Sequence, residues 1–252
     1  MSQGSIETPR KGISFVSTYL NLSDQLLHEL GKQIVQGKLL PGEFLPKVEV
    51  LSEQRGVSRT VVREALKGLT ARRLVESTTK VGTVVRPRSD WQWWDPNVLV
   101  WASHAKDNQS FLLQLTEVRL AIELAAVELA VANATDSDIA EIETAYYKLE
   151  ASISDEQEWA KADYEFHNSI LLASHNVLMI SLVSMLRTTL INSRHVTIPR
   201  LKNQRKNTSE ENFYDEILLH KEVMEAIRVR DKARASQAMH KLIKRVAQLI
   251  RD

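Results

Sequence analysis

Apolar positions recur along this chain mostly at three- and four-residue spacing, the pattern of helices that bury one face. From Ser23 to Gln36, Leu26, Leu27, Leu30, Ile34 and Val35 form such a stripe, with Ser23 or Asp24 as cap and Gly37 as terminator. Pro41-Gly42 centres a turn, and a second helix is expected from Lys47 to Arg55. Gly56 breaks the pattern. A third helix opens at Ser58, its natural N-cap, and runs to Arg73 with Val61, Val62, Ala65, Leu66 and Leu69 toward a core. Two short β-prone runs, Leu74–Ser77 and Thr83–Val85, flank Thr79–Gly82 and read as a hairpin.

Beyond the hairpin the character changes. A linker helix is expected to begin near Pro96, and from Gln109 onward there is one proline and no glycine. Helices are expected over Gln109–Asn133, Ser137–Ser152, Glu156–Ala173, Val177–Val196, Asn212–Val229 and Asp231–Ile250, with polar Lys202–Glu211 as a loop or frayed helix. Six helices with short loops make an antiparallel bundle. The fold class is mainly α: a flexible arm over residues 1–20, a winged helix-turn-helix over 21–88, a linker helix over 89–107 and an all-α bundle over 108–252.

Composition fits two domains, since 252 residues at 43% hydrophobic content can fill two cores. The absence of cysteine removes disulfides and thiolate metal sites and suits a reducing cytoplasm. No apolar run approaches the roughly 18 residues a membrane span needs, so a cytoplasmic chain without membrane contact is expected. The net charge of +1 hides an asymmetry: residues 1–90 hold 14 Lys+Arg against 9 Asp+Glu, a net of +5, and the remaining 19 against 23 give −4. A basic head on an acidic body points to nucleic acid.

The third helix carries the sharpest chemistry of that head. Ser58, Arg59, Thr60 and, one turn later, Arg63 present donors for phosphates and guanine edges at the end that enters a major groove. The alternative is an amphipathic helix with a solvated basic face; a short helix, a Gly-containing turn and this helix in succession favour DNA recognition. In the hairpin tip, Lys80 and Gly82 could reach a phosphate or the minor groove, or form a solvated turn. Four of the five tryptophans fall within Trp91–Trp101, a cluster better suited to packing a linker between domains than to stacking on bases.

The run from Gly37 through Pro41-Gly42, Leu45-Pro46, Leu51, Val57–Leu66, Leu69, Leu74-Val75 and Gly82 resembles the GntR superfamily of bacterial transcription regulators. The resemblance implies DNA contacts at Ser58, Arg59, Thr60 and Arg63. It has two departures: Glu49 stands where many relatives carry a DNA-contacting Arg, and Lys80 replaces the first Gly of the usual Gly-x-Gly wing. The region from Leu112 to Val246 is similar to the FCD domain of the FadR subfamily, and the whole pattern is most similar to regulators of sugar-acid catabolism.

Within the bundle, Asp163 and His167 stand one turn apart on one helix face, a spacing suited to one cation or equally to an exposed pair. The FCD resemblance adds His220 as a third metal ligand and places the family's fourth at Leu242; His240, two residues earlier, lies about 200° around the helix. Zinc, nickel or manganese would suit these ligands. Arg119 matches a family arginine that faces the cavity and forks onto a carboxylate, or it simply pairs with Glu123. His195 is a weaker effector ligand, and Arg187 and Arg194 could be surface residues. The expected protein is a homodimeric repressor that reads inverted half-sites on double-stranded DNA and leaves them when a small carboxylate, an aldonate or hexuronate, binds. The alternative from another class is a metal-dependent hydrolase or lyase using Asp163, His167 and His220.

Overall fold

Asn21, rather than Ser23 or Asp24, caps the first helix: its side chain accepts from the Asp24 amide at 2.9 Å at the start of α1 (Leu22–Val35). The computed structural model describes residues 21–78, 82–203 and 209–251, with the backbone alone given for His195, residues 202–203 and 209–213. The expected N-terminal arm, Lys80 and the centre of Lys202–Glu211 lie outside the described residues.

In the head, α1 is followed by α2 (Val48–Arg55) and α3 (Arg59–Ala71). Gly56 ends α2 at φ +62, left-handed backbone that a side chain would strain, and so turns the chain into α3. Ser58 caps α3 by accepting from the Val61 amide at 3.3 Å. Val62, Ala65, Leu66 and Leu69 are buried as expected, whereas Val61 is only half-buried because it sits at the flank of the stripe. Strands β1 (Val75–Thr78) and β2 (Gly82–Val85) pair antiparallel in the register Val75 to Val85, and Phe44 bridges to Val84. The wing therefore leans on the turn before α2.

The tryptophan-rich linker belongs to the head's core. Asp95 caps α4 (Pro96–Ser103) through the Asn97 and Val98 amides and also receives Arg72 Nε at 3.1 Å, fastening α4 to the end of α3. Trp101 is 4% exposed, donates to His28 Nδ1 at 3.1 Å and packs where Gly31 has no side chain. A Cβ on Gly31 would lie 2.4 Å from the indole, so this close approach requires glycine. Trp91 and Trp93 donate to the Arg86 and Arg88 carbonyls, with the Arg88 guanidinium over both rings. Only Trp94 remains exposed among the four.

The bundle contains α5 (Gln109–Asn133), α6 (Asp136–Ala151), α7 (Glu156–Ala173), α8 (Val177–Asn203), α9 (Ser209–Arg228) and α10 (Lys232–Arg251). Thr135 and Asp138 form a capping box at the start of α6. The main departure from expectation is α8, which continues seven residues past Val196 and through Pro199. Proline costs a helix one hydrogen bond, but Ile198 and Leu201 beyond Arg194 and Thr197 are almost fully buried, and that apolar burial offsets the loss. Because α4 packs against both α1 and α8, the head is joined to the bundle through one shared helix.

Candidate functional site

On the head, Arg59, Thr60 and Arg63 project from the exposed face of α3, opposite its buried stripe. The Ser58 hydroxyl caps the helix as an acceptor and retains its own proton to donate. The Arg59 guanidinium lies 3.9 Å from Glu49 on α2, an exposed ion pair across the helix-turn-helix. Gly82, at the start of β2, takes φ +108, left-handed backbone that suits glycine, and lies beside Phe44 in the turn before α2.

In the bundle, four predicted residues come together at depth. Arg119, Asp163, His167 and His220 are each at most 5% exposed, on α5, α7 and α9. One ligand atom each from Asp163, His167 and His220 lies within 4.8 Å of the others. Four helices line a small cavity beside the cluster: Asp163 on α7, Arg194 on α8, His220 on α9 and Leu242 on α10. Its volume is about 20 Å³, room for one water or one bare ion.

The histidines are oriented by hydrogens on their other nitrogens. His220 Nδ1 lies 2.7 Å from the Glu216 carbonyl and donates to it, while Nε2 stands 3.4 Å from Asp163 Oδ1. His167 Nδ1 is 2.5 Å from Glu123 Oε2 at an angle too sharp for a good hydrogen bond. Glu123 Oε2 and both His167 ring nitrogens are thus buried without a hydrogen bond. Both Nε2 atoms are buried without a hydrogen-bond partner. Buried acceptors of this kind are costly in an apolar interior.

Charges in the cluster are paired. Arg119 Nε donates to Glu123 Oε1 at 2.7 Å, so the two residues form an ion pair and face the interior at once. Arg194, for which a surface position was left open, is 6% exposed and forks both Nε (2.8 Å) and Nη2 onto Asp163 Oδ2. Burial alone raises the Asp163 carboxyl, but Arg194, His220 and His167 outweigh it and hold it well below the usual range. Burial likewise raises Glu123, yet Arg119 and His167 bring it down to about 2. For His167 burial wins over Glu123, and its pKa falls, favouring the neutral ring.

The remaining expectations sort by burial. Leu242 is 1% exposed on the cavity wall and offers no donor. His240 is exposed on the opposite side of α10, beside Leu124 and Glu128. Arg187 is exposed with its guanidinium 5.6 Å from the Tyr164 ring. The His195 side chain lies outside the described residues. Sequence reasoning missed Arg194 and the role of Glu123, and a signal was present for both. Arg194 falls in register with buried Leu186, Leu190, Ile198 and Leu201, and Glu123 with Leu112, Thr116, Ala126 and Ala130. A larger cleft of about 790 Å³ lies between head and bundle, lined by Lys38, Arg88, Trp93 and Phe111, but none of its groups is a buried polar orphan.

A winged helix-turn-helix with its cations outward, joined through a packed helix to an all-α bundle, defines a DNA-binding transcription regulator. The chain belongs to the gntR family of bacterial regulatory proteins, whose description matches residues 22–85, and it carries an FCD domain over residues 114–245. It is 32% identical to the galactonate operon transcriptional repressor of Escherichia coli K12, over 87% of this chain and 92% of that one. It is 31% identical to the HTH-type transcriptional regulator LutR of Bacillus subtilis 168, over 82% and 90%. The fold is shared with the solved structure of Lar, described as controlling expression of the Listeria monocytogenes agr system, at a TM-score of 0.62, 17% identity and coverage of 93% and 99%. The family and these relatives are regulators, so the hydrolase or lyase alternative is set aside. Among the described residues no helix is long and apolar enough to cross a membrane.

Proposed function

We propose that the chain is a repressor of a sugar-acid catabolic operon, released from DNA when an aldonate or hexuronate binds in the bundle. The observation that carries this reading is the buried convergence of Asp163 and the two free Nε2 atoms beside Arg119 and Arg194. Buried acceptor lone pairs facing a carboxylate are the donor set of a divalent cation, and Asp163, His167 and His220 would hold it. Such a cation, zinc, nickel or manganese, supplies a positive centre to which a ligand carboxylate or hydroxyl can coordinate. The guanidinium of Arg119 is suited to a second carboxylate oxygen.

Sugar-acid specificity is supported by the galactonate repressor, which matches a larger share of this chain, at higher identity, than the E. coli Glc operon transcriptional activator, 25% identical over 71%. Ligand pockets usually measure about 300–1,000 Å³, so a cavity near 20 Å³ must open to admit a six-carbon acid. α8 links that opening to output, because it carries Arg194 and packs on α4, which packs on α1. Two copies would read inverted half-sites through Arg59, Thr60 and Arg63, with Ser58, Lys80 and Gly82 at the backbone. Exposed Val177, Leu178 and Met185 on α8 supply apolar surface for pairing.

Fluorescence anisotropy on the DNA flanking the gene tests the reading. D-galactonate or D-glucuronate at millimolar concentration should weaken binding at least tenfold. Release by a dicarboxylate or an acyl-CoA, with no response to any sugar acid, overturns it.

A further inference from the structure

We infer that Arg194 is an internal stand-in for the cation: it pairs with Asp163, and a divalent ion at that carboxylate must displace it, turning its guanidinium into the receptor for an anionic ligand. The inference deepens the reading of Asp163, His167 and His220 as a cation site and rests on it.

Three observations lead here. Arg194 spends both Nε and Nη2 on one oxygen of Asp163, the only carboxylate among the three candidate ligands, and lines the same small cavity. The Asp163 oxygen left over lies 3.4 Å from His220 Nε2, which has no hydrogen-bond partner, so one cation could bridge the two. Finally, the buried charges already balance: Arg119 against Glu123 and Arg194 against Asp163. Adding a divalent ion to a neutral, enclosed cluster leaves two uncompensated positive charges in a low-dielectric interior, which is strongly unfavourable. The strain is relieved when Arg194 leaves Asp163 and an anion enters beside it. Loading of cation and of carboxylate is thereby coupled, each favouring the other, and the moving part is a side chain on α8, the helix that touches α4.

An arginine that merely props the fold and an arginine that competes for Asp163 respond oppositely to removal. Full-length protein is stripped with EDTA, and zinc affinity is measured by competition with a chromophoric chelator in wild type and in Arg194→Met, which keeps side-chain length and loses charge. Zinc should bind the variant about tenfold more tightly, because its competitor is gone. Without zinc the variant should melt below wild type, since Asp163 is left buried and unpaired, and zinc should restore it selectively. Equal or weaker zinc binding in the variant, or a melting deficit that zinc does not repair, overturns the inference. Should Arg194→Met fail to fold, the Arg194 side-chain Nε–H resonance in ¹⁵N-arginine-labelled wild type, assigned through Arg194→Lys, gives the answer. It should shift on zinc addition; an unchanged resonance in a zinc-bound protein refutes displacement. Zinc uptake by neither protein removes the cation site and this inference together. A protein that passes the zinc tests but ignores sugar acids in the DNA assay loses only its effector assignment.

Discussion

The head and the bundle handle charge in opposite ways. On α3, Arg59 and Arg63 stand in solvent, and the one ion pair involving them among the described residues, Arg59 with Glu49 at 3.9 Å, joins side chains 63% and 48% exposed. In the bundle, Arg119, Glu123, Asp163 and Arg194 are all nearly inaccessible and are paired at short range. An exposed, loosely held cation costs little to keep and is free to meet a phosphate. A buried pair has each charge already matched by its partner, out of reach of solvent. The difference teaches that residue type alone does not mark a functional arginine; burial decides whether it reads a surface or guards a site.

Charge reversal on the exposed side should have the largest effect. Arg63→Glu replaces attraction by repulsion at both half-sites of a dimer, and DNA affinity should fall about a thousandfold. Circular dichroism should show unchanged helical content, because Arg63 contributes nothing to the α3 core. Affinity retained in anisotropy titrations would erase the contrast by making the exposed face of α3 a solvated surface.

Acid should strike the buried side next. Glu123 titrates near 2 in the folded chain against an ordinary 4.5, so the unfolded chain binds the proton first. Its stabilisation is complete above about pH 4.5 and is lost as pH falls toward 2, amounting to about 3 kcal/mol. His167 adds to the same slope earlier: its lowered pKa means that below about 6.5 the unfolded chain gains a proton that the folded one resists. In denaturant titrations, the stability gap between wild type and Glu123→Gln should close as pH drops from 5 to 2. A gap that stays constant would show that the Glu123 charge plays no part in holding the bundle.

The same contrast explains what the sequence made legible. Helix bounds in the head were read to within one or two residues because Gly37, Gly56, Ser58 and Pro96 are local punctuation that acts on adjacent backbone. The outward face of α3 was readable because exposure is the complement of an apolar stripe. Asp163 and His167 share one helix, so their proximity followed from periodicity. Arg194 was out of reach by that route, since its partner lies 31 residues away on another helix and only tertiary packing brings them together. The continuation of α8 past Pro199 was hidden for a related reason: local propensity argues for a stop, and long-range burial of Ile198 and Leu201 overrides it.

The smallest effect would sharpen the comparison most. Glu49 faces Arg59 across the helix-turn-helix, and two accounts of it differ in sign. If Glu49 only tethers Arg59 and repels phosphates, Glu49→Ala should raise DNA affinity about threefold at low salt, as befits an exposed pair, and the gain should vanish as salt screens it. If Glu49 instead accepts from a cytosine amino group, the substitution should weaken binding to the chosen operator and spare random DNA, because a base contact carries sequence and a tether does not. Paired anisotropy titrations on operator and random duplexes at two salt concentrations separate these outcomes. A salt-sensitive gain on both duplexes keeps the head as a display of exposed cations. An operator-only loss would mean that the head, like the bundle, contains a carboxylate placed to be satisfied by its ligand.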